Sequence, residues 1–129
     1  MANNASGIGE RLEFTTSLKR NHEFKRLYNK GKSAASQCAV VYLRRNGSNQ
    51  NHLGVTVSAK LGGAVQRNRI RRRIKEIYRI NEALLTAGYD IVIVARLRSR
   101  LAGFKELESS ILSLLRKLGV MGNAGGKAK

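Results

Sequence analysis

The chain has 129 residues, enough for one domain with one modest core, and 42% of them are hydrophobic, which excludes a wholly disordered chain. Lys and Arg number 25 against 8 Asp and Glu, and the net charge of +17 draws polyanions: nucleic acid first, an anionic membrane surface second. No apolar run of about 18 residues occurs, so no membrane span is expected, and the single cysteine, Cys38, cannot close an internal disulfide.

The opening MANNASGIGE has neither a basic start nor an apolar stretch, so it is not read as a secretory signal and a cytoplasmic location is expected. Residues 1–16 are small and polar without a period and are expected to form a flexible arm. The last stretch, MGNAGGKAK over 121–129, reads as a flexible tail. Residues 17–120 are then a single domain.

Asn21 is placed to cap a short helix through Asn29, with Gly31 just past its end. Phe24, Leu27 and Tyr28 fall on one face of it. QCAVVYLRR, 37–45, is β-branched and aromatic enough for a strand. NGSNQN follows as a hairpin loop with an Asn46-Gly47 turn signal. HLGVTVSAK, 52–60, alternates: Leu53, Val55, Val57 and Ala59 on one side, Gly54, Thr56, Ser58 and Lys60 on the other. Gly62-Gly63 breaks that strand.

A helix is expected over about 65–85. With Ile70 at the centre of a 100°-per-residue wheel, Ile74, Ile77, Leu84 and Leu85 lie within about 60° of it. Arg71, Arg72, Lys75 and Arg79 take the opposite half, and Arg67 and Asn68 sit in or before the first turn. YDIVIVARL is apolar on both faces, the pattern of a central strand. Phe104, Leu107, Ile111, Leu114, Leu115 and Leu118 form one stripe of a helix over about 103–118. The expected order is α-β-β-(β)-α-β-α. This is an α+β sandwich with a mixed sheet of about four strands and helices mainly on one face.

The ingredients of self-sufficient catalysis are missing. The two histidines, His22 and His52, fall in a capping region and a hairpin, and neither has an obvious acidic orienter. Asp90, the only aspartate, opens a buried strand, where a backbone or arginine contact is the expected role. The eight carboxylates are scattered, against what two-metal hydrolysis needs, and zinc-ligand spacing and a phosphate loop are both absent. No catalytic and no metal-binding residue is therefore assigned.

The basic helix is the informative feature. Between residues 67 and 79 six Arg and one Lys face only Glu76. Like charges four apart on a helix destabilise it by a few tenths of a kcal/mol per pair, so a solvated face is a poor account of them. Arginine suits forked contact with phosphate oxygens. Single-stranded RNA is held by aromatic platforms beside a cationic groove. Tyr42 shares a strand face with Val40 and Cys38, and Phe24 and Tyr28 share a helix face; the pattern leaves open whether these rings line a groove or fill the core. Cys38 reads as a small buried hydrophobe.

VTVSAKLGGAVQRNRIRRRIKE, 55–76, resembles the central signature of the bacterial ribonuclease P protein component through Ser58, Lys60, Gly62, Ala64, Val65, Arg67, Asn68 and Arg69. LKRNHEFKRLYNKGKS (18–33) is similar to that family's first helix and YDIVIVAR (89–96) to its later strand, so the likeness runs over about 17–118. Ala59 stands where the family usually has a Lys, and Gly63 where it usually has Asn. The resemblance implies the protein subunit of a ribonucleoprotein that removes 5′ leaders from precursor tRNA. It implies that the RNA subunit holds magnesium and breaks the bond, with no cofactor on the protein, no membrane and no obligate protein partner. It implies RNA contacts at Arg67, Asn68, Arg69, Arg71, Arg72 and Lys75, and a leader cleft of Phe24, Tyr28, Ser33, Val40, Tyr42 and Lys60. It also implies a left-handed βαβ crossover, where general chirality rules expect a right-handed one. The alternative is a structural RNA-binding protein of ribosomal type; a nuclease acting alone is set aside.

Overall fold

The computed structural model describes residues 15–18 and 31–121. The expected first helix, with Phe24 and Tyr28, lies outside the described residues, as do most of the expected arm and tail. Five strands form one mixed sheet: β1 (Thr15–Ser17), β2 (Lys32–Ala35), β3 (Ala39–Arg45), β4 (Asn51–Thr56) and β5 (Tyr89–Ala95), in the order β1-β4-β5-β3-β2. Two helices complete the described elements, α1 (Ala64–Asn81) and α2 (Phe104–Leu118).

β5 sits at the centre because its residues are apolar on both faces, and it pairs parallel to β4 and antiparallel to β3. This overturns the expected hairpin between residues 37–45 and 52–60. The Asn46-Gly47 turn forms, with Gly47 at φ 75° and Ser48 N–H donating to Asn46 Oδ1 at 2.8 Å. The strands it joins do not pair, since β5 lies between them. The hairpin that does form is β2–β3, Ala35 opposite Val40, closed by Ser36 N–H to Ala39 O at 2.8 Å. Gly88 leads into β5 at φ 102°, and a Cβ there would lie 2.8 Å from Ser48 O, so the 46–50 loop packs directly on it.

Other boundaries move too. Thr15 and Thr16, expected in the arm, pair with Asn51 and His52 at the sheet edge. Met121, expected in the tail, is buried and bridges Leu85. β4 ends at Thr56 rather than Lys60, because Ser58 caps a 3-10 turn (Ala59–Leu61) by accepting from Lys60 N–H at 3.1 Å. α1 stops at Asn81, and a 3-10 turn (Glu82–Leu84) changes the angular step per residue. Leu84 is thereby thrown outward, 56% exposed, while Leu85 stays buried.

One sheet face carries the helices. Ile70, Ile74, Ile77 and Tyr78 of α1 and Leu107, Ile111, Leu114 and Leu115 of α2 bury against Val41, Leu43, Leu53, Ile91 and Ile93. Cys38 belongs to this core. On the other face a smaller cluster joins Leu18 and Val92, with Tyr42 and Val94 packed on it.

A directional chain of buried hydrogen bonds ties β1 to α1. Asn51 Nδ2 donates to Tyr78 Oη at 3.2 Å. Tyr78 must therefore pass its proton to Thr15 Oγ1, 2.8 Å away, because Thr15 in turn donates to the buried Glu82 carboxylate at 2.6 Å. Burial pushes the Tyr78 phenol above its ordinary value, partly offset by its hydrogen bonds with Thr15 and Asn51.

Candidate nucleic-acid interface

The apolar stripe of α1 determines what each of its cations can do. On the wheel centred on Ile70, Arg67 and Arg73 flank the stripe at about 60° on either side, while Arg69, Arg71, Arg72 and Lys75 lie at about 100° or more. The flanking pair is tied down: Arg73 Nη1 donates to Ala102 O at 3.1 Å, and Arg67 Nε to Gly62 O at 3.1 Å. Arg79, near the end of the helix, holds Glu76 with two hydrogen bonds, one of 2.9 Å to Oε1 and one to Oε2.

The cations between them are not neutralised. Arg69 and Arg72 are exposed and make no hydrogen bond or ion pair among the described residues. Arg71 donates to Asn68 Oδ1 at 2.7 Å, which braces the guanidinium without cancelling its charge. Partial burial, and then the Arg71 charge beside it, lower the Lys75 pKa below its ordinary 10.5. The first turn of α1 holds no acidic residue and its Gly63 cap offers no side-chain acceptor, so the positive end of the helix dipole adds to this field. An open groove lined by Gly63, Ala64, Val65, Gln66 and Arg69 lies at that end. Arg67, Asn68, Arg69, Arg71, Arg72 and Lys75 thus share one helix, and all but Arg67 turn away from the apolar stripe.

A second surface lies on the sheet face away from α1 and α2. Pairing registers place Ser33, Tyr42, Val92 and Gly54 in one row across β2, β3, β5 and β4. Ala35, Val40, Val94 and Thr56 form the adjoining row. Ser33, Val40 and Tyr42, expected in one cleft, therefore do stand together. Tyr42 and Val40 are half-buried and Ser33 is exposed. Lys60 is exposed on the 3-10 turn before α1, between the sheet and the basic helix in sequence. Arg96 continues the face past Val94 and donates to Ser36 O at 2.9 Å.

Sequence reasoning missed a polar row on the same face. His52, Asp90 and Arg44 are aligned across β4, β5 and β3. His52 Nδ1 lies 2.7 Å from Asp90 Oδ1, so His52 does have an acidic orienter, separated by 38 positions that no local pattern bridges. Among the described residues no group of three or more His, Cys, Asp or Glu is placed to hold a metal ion, and no helix is long and apolar enough to cross a membrane.

The ribonuclease P family profile matches residues 12–119. A ribonuclease P protein component of Alkaliphilus oremlandii is 42% identical over 107 residues, covering 83% of this chain and 94% of that protein. One of Clostridioides difficile is 42% identical over 104 residues, covering 80% and 91%. Among solved structures, the Staphylococcus aureus RNase P protein superposes with a TM-score of 0.76 at 32% identity, covering 86% of this chain and 100% of that one. The Thermotoga maritima protein gives 0.73 at 30%, covering 78% and 96%. With a profile spanning both the basic helix and the sheet, and relatives matched over nearly their whole length, this chain belongs to the ribonuclease P protein family, the protein components of a ribonucleoprotein endoribonuclease.

Proposed function

We propose that this protein clamps two RNAs at once. The outward half of α1, with Asn68, Arg69, Arg71, Arg72 and Lys75, docks on the ribonuclease P RNA, and Arg67 joins it from the flank of the helix. The sheet face away from α1 and α2, with Ser33, Val40 and Tyr42, holds the single-stranded 5′ leader of precursor tRNA, joined by Lys60 and by Phe24 and Tyr28 of the segment outside the described residues. Leader removal, which yields the mature tRNA 5′ end, is promoted by fixing the substrate on the ribozyme. The bond is broken by the RNA subunit with its magnesium, and the protein alone is inactive. The chain works in the cytoplasm, away from membranes, and needs no protein partner.

One observation carries this reading: Arg69 and Arg72 stand exposed with no hydrogen bond or ion pair among the described residues, on a chain of charge +17. A polyanion supplies the missing charge, and its released counterions drive binding. Tyr42 beside small and aliphatic residues supplies a stacking platform that reads no particular base, as a variable leader requires. The test adds purified protein to a bacterial ribonuclease P RNA and precursor tRNA at low magnesium. Accelerated leader removal is the expected result; unchanged cleavage would leave a structural RNA-binding role instead.

A further inference from the structure

The row next to Tyr42 is not used by that reading. His52 and Asp90 are joined at 2.7 Å, and Asn46 Nδ2 donates to the same Asp90 oxygen at 3.0 Å. Asp90 is 14% exposed, whereas the His52 ring is 36% exposed. A carboxylate only accepts, so in the uncharged ring the proton sits on Nδ1 and Nε2 carries a free lone pair. Strand alternation sets this ring on the face of Tyr42, away from the helix-side core. Arg44 stands opposite Asp90 in register, yet forms no ion pair with it among the described residues. A pair serving only to join β4 to β5 would need neither an accessible ring nor an uncommitted guanidinium beside it.

We propose that His52, aimed by Asp90, and Arg44 form a nucleotide subsite one row beyond Tyr42: Arg44 takes a phosphate, and His52 Nε2 accepts a hydrogen bond from a hydroxyl or amino group of the same leader nucleotide. The inference rests on the leader reading above and extends it. Tyr42 and Arg44 are two residues apart on β3, about 6.6 Å along the strand, a stride that an extended nucleotide repeat covers. Asp90 is a positioning residue; it touches the histidine and not the RNA. A ribose 2′-hydroxyl in this place would let the face distinguish RNA from DNA.

The test uses the full chain assembled with a bacterial ribonuclease P RNA. Precursor tRNAs carry a single 2′-deoxy substitution, or a base analogue lacking its exocyclic amine, at successive leader positions. One position, next to the one sensed by Tyr42, is expected to lose about three- to tenfold in affinity. Loss with the deoxy series identifies the ribose hydroxyl; loss with the analogue series identifies the base amine. The penalty should vanish in both His52→Ala and Asp90→Asn, with mature tRNA binding unchanged as evidence of folding. Asp90→Asn should also shift the His52 proton from Nδ1 toward Nε2 in nitrogen NMR, which a packing defect would not do. Arg44→Ala should lower the log–log salt slope by about 0.7. Coincident scans for wild type and His52→Ala overturn the subsite. If Tyr42→Ala still weakens leader binding in that case, the leader reading stands without it; if not, both fall.

Discussion

Arg72 and Arg73 are neighbours in sequence with opposite physical roles. Arg73 caps Ala102 O, a carbonyl of a buried residue, so Arg73→Ala should lower stability by about 1 kcal/mol in denaturant titration and leave the salt dependence of RNA binding nearly intact. Arg72→Ala should do the reverse: unfolding is unchanged, while the log–log slope of RNA affinity against salt falls by about 0.7–0.9. Lys75 gives a complementary readout. Burial and Arg71 depress its pKa in the free protein, and a phosphate placed beside it must raise that value again. Titration of the Lys75 ammonium by NMR should therefore move upward when the ribonuclease P RNA is added. Tyr42→Ala should weaken leader-bearing substrate by about 1–3 kcal/mol and leave mature tRNA binding almost unchanged, measured side by side. Equal loss for the two RNAs would remove Tyr42 from the cleft.

Among the elements, α2 and β5 were legible because their signals are local: a leucine-rich stripe at helical spacing, and a run apolar on both faces. The outward set of α1 cations was legible for the same reason, since a wheel needs no partner. Pairing was not. Asn46-Gly47 makes its turn as read, but which strand lies beside β3 is decided by β5, more than forty positions away. β1 and β2, Thr15–Ser17 and Lys32–Ala35, carry too few large apolar residues to announce themselves; their neighbours order them. The Asn51–Tyr78–Thr15–Glu82 chain was hidden for a related reason, since its members come from three segments far apart in sequence. It can be tested through Tyr78→Phe, which should destabilise the protein by about 0.5–1.5 kcal/mol near neutral pH. The folded-state pKa of Tyr78 is raised above 10.0, so its contribution is whole below that pH and drains away as pH climbs from there through the folded value. The stability gap between wild type and Tyr78→Phe should accordingly narrow in alkaline denaturation series.

At the scale of the whole molecule, the two sheet faces differ: one carries α1, α2 and most of the core, and the other, among the described residues, carries the smaller Leu18–Val92 cluster with Tyr42 and Val94 packed on it. The charge of +17 acts as a long-range attractor for polyanions, and in the function proposed above the rows of the second face hold the RNA at close quarters. The strand order has a further consequence, for biosynthesis. The middle of the sheet is the last of its strands to leave the ribosome, so β1 with β4 and β2 with β3 emerge as two half-sheets, each missing an inner neighbour. Until the segment ending at residue 95 has emerged, both expose unpaired edges and apolar side chains to solvent. Nascent chains arrested before that point should be protease-sensitive and held by chaperones, and release of the Tyr89–Ala95 segment should bring protection in a single step.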